Sequence, residues 1–177
     1  LEDLVHLSEP TEPGRALSFA SAALALALER RPPDEEECFG WLLAAERIAN
    51  AGPGPSALAA ELAQALGDGA LSGSIAARLS RRAAEAYEEA QRPEQAIAMA
   101  RRAVAAAPED AEGDALLDRL LADRGDSGGR IAAAQEAVMR AGGGDRRRDA
   151  LLRLAQVAEE VDDLPRAAEA LERVGSE

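Results

Sequence analysis

Regularly spaced apolar residues run along most of the chain, in stretches long enough to form helices. Clusters of Gly and Pro separate these stretches, which are rich in Ala, Leu, Glu and Arg, the residues with the best helix propensities. Candidate N-caps stand at Asp34, Ser56 and Ser74. Because the links are short, successive helices are expected to be antiparallel neighbours. The pattern predicts nine helices and no strand, with the helices at residues 15–31, 35–51, 56–66, 74–91, 94–107, 110–124, 129–141, 146–161 and 164–174.

An internal repeat is visible at an offset of 34 residues. The offset aligns residues 101–108 with 135–142, Ile97 with Ile131, Tyr87 with Leu121, and Gln91 with Gly125. A fixed period of this length is typical of solenoids, in which each unit buries its apolar face against the next.

The stretch from Ala86 to Ile97, continued through Ala103 and Pro108, resembles a tetratricopeptide repeat (TPR), and the resemblance is best over residues 77–174. It implies an all-α fold, a right-handed α-solenoid of antiparallel helical hairpins with small residues where the two helices touch. The alternative from the residues alone is an Ala-rich helical bundle without a repeat. The repeat-defining positions that the resemblance implies are Ala84, Tyr87, Ala96, Ala103, Pro108, Leu121, Gly125, Ala137, Leu151, Ala155, Ala167 and Leu171.

The repeats divide the chain and show where it departs from the family pattern. The clearest units are 77–110, 111–144 and 148–177, while 14–73 would hold degenerate hairpins of one domain, 14–177, after a short segment, 1–13. The middle unit has Asp118 where a small residue is expected and Arg130 where Ala is expected, and Ala100 replaces a large residue in the first unit.

In TPR proteins the first helix of each hairpin lines a concave groove that holds a peptide or helix of a partner. Since acidic residues predominate at these positions, the expected partner is a protein or peptide with basic residues, docking against Glu88, Glu89, Glu159 and Glu160. The alternative is that these charges only keep the chain in solution. The groove candidates that the resemblance implies are Arg78, Arg81, Glu85, Glu88, Glu89, Arg119, Asp123, Asp149, Gln156, Glu159 and Glu160, with Glu112, Ala115 and Leu152 beside them.

Composition excludes several classes of protein. The 177 residues include 43 Ala and 2% aromatics, too few β-formers for a β-rich domain, while 47% apolar residues argue against disorder. All 20 basic residues are Arg, and the net charge of −13 disfavours nucleic acid as a partner. No apolar run is long enough for a membrane span.

Candidate chemistry is scarce in the sequence. His6 and Cys38 are the single residues of their kinds, which is too few for a zinc site. The acidic residues before Cys38 should raise the pKa of its thiol, and no Lys is present for a Schiff base. We therefore expect no enzyme activity, no cofactor and no metal.

The sequence leaves three functions open. The first is a non-catalytic protein-interaction scaffold, and the second is a regulatory or sensor domain attached to a bacterial transcription factor or protein kinase. The third is an oligomerisation element, because no polar capping helix follows Val174. A bacterial, cytoplasmic origin and a place within a longer chain are expected.

Overall fold

The computed structural model describes Val5 and residues 12–30, 33–67 and 73–175. His6 lies outside the described residues. Nine helices occupy the described part, and they are numbered α1 to α9 in chain order. They are α1 (Pro13–Glu29), α2 (Glu35–Ala51), α3 (Pro55–Leu66), α4 (Ser74–Glu89), α5 (Pro93–Ala106), α6 (Ala111–Asp123), α7 (Ser127–Arg140), α8 (Gly144–Glu160) and α9 (Leu164–Val174).

The helices confirm the predicted elements, with differences at their starts. α1, α3 and α5 each begin at a proline, one or two residues earlier than predicted, because proline fits the first turn, where its missing N–H has no intrahelical partner. Asp34 is the N-cap of α2, as predicted. The predicted caps Ser56 and Ser74 are wrong, since Gly54 and Gly73 precede α3 and α4.

The three C-terminal hairpins share one turn. Gln91, Gly125 and Asp162 stand at equivalent places with φ of 59°, 72° and 62°, the left-handed region that commonly ends helices. In each turn the next N–H closes back onto the preceding helix: Arg92 donates to the Tyr87 carbonyl at 2.9 Å, Asp126 to Leu121 at 2.9 Å, and Asp163 to Ala158 at 2.8 Å. The first two turns are therefore 34 residues apart, the offset seen in the sequence, and the third follows 37 residues after the second.

The first compact unit, Leu1–Ala107, holds α1 to α5. In it α1 packs against α2 and α3, α3 packs against α4, and α4 packs against α5. The α4–α5 hairpin is antiparallel, because Ala76 and Ala77 at the start of α4 pack against Ala106 at the end of α5. Small side chains let these backbones approach closely.

The second compact unit, Pro108–Glu177, holds α6 to α9, each packed against the next. Its hydrophobic core lies among α7, α8 and α9 and includes Ile131, Val138, Leu151, Leu154 and Val157. The expectation of one domain over 14–177 stays a prediction.

Most repeat-defining residues lie in the two cores. The buried ones are Ala84, Tyr87, Ala96, Ala103, Leu121, Leu151, Ala155 and Ala167. Ala137 is half-buried, and Pro108 and Gly125 are exposed next to helix ends. Leu171 differs from its predicted packing role, being 46% exposed, because α9 packs inward through Ala167 and Ala170.

Candidate interaction surface

The first helices of the three hairpins, α4, α6 and α8, carry the predicted groove residues. Arg81 and Glu88 are half-buried on α4, and the remaining nine are exposed: Arg78, Glu85, Glu89, Arg119, Asp123, Asp149, Gln156, Glu159 and Glu160. We call these eleven residues the first-helix face of their helices. These residues are accessible to a partner, whereas most of the small repeat-defining residues are buried where the helices pack.

In the first unit, three side-chain contacts join α2 and α4, and they follow in the same order along both helices. The Ser74 hydroxyl donates to a carboxylate oxygen of Glu35 at 3.1 Å, and the Arg78 guanidinium lies 4.1 Å from the centre of the Phe39 ring. One turn further along α4, Arg82 pairs with Glu46 of α2. Helices α2 and α4 therefore run in the same direction, as alternate helices of successive hairpins do.

Arg82 neutralises part of the first-helix face of α4. Its guanidinium lies 3.3 Å from a carboxylate oxygen of Glu89 and 3.7 Å from one of Glu85, besides the bond to Glu46. Burial alone would lower the pKa of Arg82, but the hydrogen bond and charge of Glu46, with the charges of Glu89 and Glu85, outweigh burial and raise it. Glu85 and Glu89 are thus less available to a partner than the sequence indicates.

In the second unit, Asp118 and Arg130 form the central ion pair. The Arg130 side chain, only 12% exposed, donates from Nε and one Nη to the two carboxylate oxygens of Asp118 at 2.8 and 3.2 Å. Arg130 also donates to Glu160 at 2.6 Å, and Arg153 donates to Asp118 at 3.4 Å. The hydrogen bonds from Arg130 to Asp118 and Glu160 raise the pKa of Arg130, and the hydrogen bonds that Glu160 accepts from Arg130 and Gln156 lower the pKa of Glu160.

The Asp118–Arg130 pair explains both departures of the middle repeat. The equivalent positions are Ala84 and Ala96 in the first repeat and Ala155 and Ala167 in the third, and all four alanines are buried. In the middle hairpin the two small side chains are replaced together by two that bond to each other, which satisfies both charges. The sequence therefore contained a signal for this ion pair: two residues of opposite charge replace the expected small residues at positions that face each other.

Ion pairs also bridge α6 to the rest of the second unit. Arg140 of α7 donates to Asp114 at 2.6 Å, and Arg146 of α8 pairs with Glu109 before α6. A cavity of about 350 Å³ lies among these helices. Its walls include alanines of all three helices, and Asp149 of the first-helix face reaches it together with Arg140, Arg146 and Arg153.

Two predicted acidic residues on α8 remain without an ion pair. Asp149 and Glu159 are exposed, and neither forms a salt bridge within the part of the chain that the structure describes. Glu160, by contrast, is held by Arg130 and Gln156. Leu152 lies between the two free carboxylates on the same helix and is 44% exposed.

The described residues contain little other chemistry. Cys38 is buried, and burial, followed by the charge of Glu37, raises the pKa of its thiol. Among the residues with a described placement, no three His, Cys, Asp or Glu side chains group together as metal ligands would. No helix in the described ranges has the length and apolarity needed to cross a bilayer.

Comparison with known proteins places the fold. No protein-family model matches the sequence, and no curated protein does. A solved structure of a Podosopora anserina protein, described as a kinesin light chain with nearly identical TPR-like repeats, is similar to this chain. The TM-score is 0.50 at 15% identity, over 98% of this chain and 91% of that one. The structure of BtubC (BKLC) from P. vanneervenii gives 0.48 at 17% identity, over 98% and 76%. The chain has the TPR-like helical-repeat fold.

Proposed function

We propose that this protein is a non-catalytic interaction scaffold that binds a segment of a partner protein on the first-helix faces of its hairpins. The observation that supports the proposal is a contrast in exposure between the positions of each first helix. Small residues such as Ala84 and Ala155 are buried, whereas the first-helix positions of the same helices are open to solvent. Side chains on packed helices hold defined positions, so an accessible polar face of this kind suits the recognition of a partner. Cys38 fits this proposal, because a buried thiol with a raised pKa is a poor nucleophile.

The partner segment carries basic residues. Of the four glutamates first expected to meet them, Glu89 and Glu160 are already paired with arginines of this chain. Asp149 and Glu159, whose carboxylates form no salt bridge with any described residue, are the better contacts, since exposed charges of one sign attract and orient an oppositely charged partner. The acidic net charge of the whole chain, −13, acts in the same direction.

The test compares two charge-reversed proteins with the same net charge. One carries Asp149→Arg and Glu159→Arg on the first helix α8. The control carries Glu136→Arg and Glu169→Arg on the second helices α7 and α9, where both residues are exposed. Each is used to capture proteins from a lysate of the source organism, after circular dichroism has shown equal helix content.

We expect a prey that wild type and the control retain and the α8 variant loses. Equal recovery of every prey by the three proteins would contradict binding on the first-helix face.

Self-association is the second candidate function. Leu164 and Leu171 on α9 are 60% and 46% exposed, an apolar surface of the kind found where helical repeats meet further helices. Light scattering decides it, since a mass that stays monomeric from micromolar to millimolar concentration would count against assembly.

A further inference from the structure

We infer that the cavity among α6, α7 and α8 binds a small aromatic zwitterion, of the chemical class of a free aromatic amino acid. The inference goes beyond the proposed function and does not depend on it, because the ligand enters a cavity of the second unit and needs no partner protein. The volume of this cavity, about 350 Å³, is in the range of small-molecule sites.

Corresponding ion pairs align two pairs of first helices. In the first unit Arg82 of α4 pairs with Glu46 of α2, and in the second unit Arg153 of α8 pairs with Asp118 of α6 at 3.4 Å. Each of these two arginines stands two residues before the buried small residue of its own helix. The two pairs of helices can therefore be compared position by position.

The cavity lies at the positions where the first unit holds an aromatic ring. Phe39 and Arg78 contact each other between α2 and α4, with the guanidinium 4.1 Å from the centre of the ring. Phe39 stands seven residues before the acid of its ion pair, and Arg78 four residues before the arginine. At the same distances in the second unit stand Ala111 and Asp149, and both line the cavity. A ligand with an aromatic ring would supply the group that the second unit lacks.

The walls of the cavity combine apolar surface with charges of both signs. Ala111, Ala137 and Ala150 supply apolar surface from the three helices, which an aromatic ring would remove from water. Three arginines and three acids also line the cavity, so a ligand without net charge fits this lining. Among the acids, Asp149 is exposed and forms no hydrogen bond or ion pair with any residue that the structure describes. Its carboxylate can therefore accept hydrogen bonds from an ammonium group.

Arg140 supplies the complementary charge for a ligand carboxylate. One of its terminal nitrogens donates to Asp114 at 2.6 Å, whereas its Nε is buried and has no hydrogen-bond partner among the described residues. Because a buried donor without an acceptor is costly, a carboxylate bound at this guanidinium would be stabilising. Arg153, whose bond to Asp118 is long at 3.4 Å, lines the same cavity and offers further donors.

Isothermal titration calorimetry with the full chain compares L-phenylalanine with relatives that each lack one group. Phenethylamine lacks the carboxylate, phenylpropionate lacks the ammonium group, L-alanine lacks the ring, and the N-acetyl amide of phenylalanine lacks both charges.

Two variants are each compared with a matched control on the same helix. Ala111→Phe fills the cavity with the ring that the first unit carries, and its control is Ala115→Phe, at an exposed alanine outside the cavity. Asp149→Asn is compared with Asp145→Asn, at an exposed carboxylate that also lies outside the cavity. Circular dichroism first establishes equal helix content.

We expect L-phenylalanine to bind with a Kd of about 0.1–1 mM, as suits a ligand of its size. Phenethylamine should bind about 5- to 20-fold more weakly, and L-alanine at least about 10-fold more weakly. Ala111→Phe should abolish binding of L-phenylalanine. Asp149→Asn should weaken it about 2- to 5-fold without changing the affinity for phenylpropionate, which has no ammonium group. Both controls should bind as wild type does.

Three results would overturn the inference. The first is the absence of L-phenylalanine binding at millimolar concentration, and the second is binding that Ala111→Phe leaves unchanged. The third is equal affinity for L-phenylalanine and its N-acetyl amide, which would indicate a site for an aromatic side chain of a partner. The proposed function would survive each of these results if the charge-reversed α8 protein still loses a captured prey that its control retains.

Discussion

Removing Asp118 and Arg130 together should cost much less stability than removing either one. In Asp118→Ala, Arg130 keeps only Glu160 as a partner, and its guanidinium stays in a site where the side chain is 12% exposed. In Arg130→Ala, Asp118 keeps the longer bond to Arg153, at 3.4 Å. In the double variant, Ala stands at both positions, as in the hairpins with Ala84 and Ala96 or Ala155 and Ala167.

The magnitudes follow from the burial of the pair. Breaking a fully buried ion pair costs about 3–5 kcal/mol, whereas replacing both partners with apolar residues is often neutral. Because both charges here keep a second partner and some solvent contact, we expect about 2–3 kcal/mol for Asp118→Ala and about 1–2 kcal/mol for Arg130→Ala. The double variant should cost no more than about 1 kcal/mol relative to wild type, so the coupling between the two positions should be at least about 2 kcal/mol.

Native-state hydrogen–deuterium exchange followed by mass spectrometry is the suitable assay, because it reports protection for α6, α7 and α8 separately. Urea unfolding followed by circular dichroism gives the total free energy of unfolding. If the cost of the double variant equals the sum of the two single costs, the pair is not coupled. The explanation of the middle repeat would then be refuted.

Three further results are expected. Ser80→Ala should raise the free energy of unfolding by about 1 kcal/mol in urea, since the buried Ser80 hydroxyl has no hydrogen-bond partner among the residues that the structure describes; a loss of stability would show that the hydroxyl is satisfied. Gly125→Ala should lower the unfolding temperature through a cost of about 1 kcal/mol, because φ is +72° with open space around it, and an unchanged melting curve would argue against this turn. The pKa of Glu160 lies below its usual 4.5, so its pair with Arg130 stabilises the fold above that pH and is lost as the pH falls through the lowered value. Wild type and Glu160→Gln should therefore differ in urea stability at pH 7, and the difference should shrink as the pH falls below 4.5; a difference that does not change with pH would oppose this assignment.

The helices and their repeat were predictable because local rules determine them. The equivalent turns at Gln91, Gly125 and Asp162 lie where the 34-residue offset and the short insertion after it place them. The helix starts at Pro13 and Pro93 were missed because the prediction treats proline as a residue between helices. Proline also fits the first turn of a helix, where its missing N–H has no intrahelical partner.

The sequence allowed us to predict which positions of the candidate surface are exposed, but not which of their charges are already paired within the chain. Helical periodicity places Glu159 and Glu160 on an accessible part of α8, but the arginine that pairs with Glu160 comes from α7, 30 residues away. Such a long-range pair leaves no periodic signal. The exception is Asp118 and Arg130, where the departures from a repeat pattern mark two positions that touch.

Site-specific photo-crosslinking tests most directly whether the first-helix face is the binding surface. A benzoylphenylalanine replaces Gln156 on α8 in one protein and Gln135 on α7 in the other, both being exposed glutamines of the second unit. After irradiation in cells of the source organism, we expect a covalent adduct with a partner protein from position 156 and none from position 135. An adduct from position 135 with none from position 156 would contradict the account.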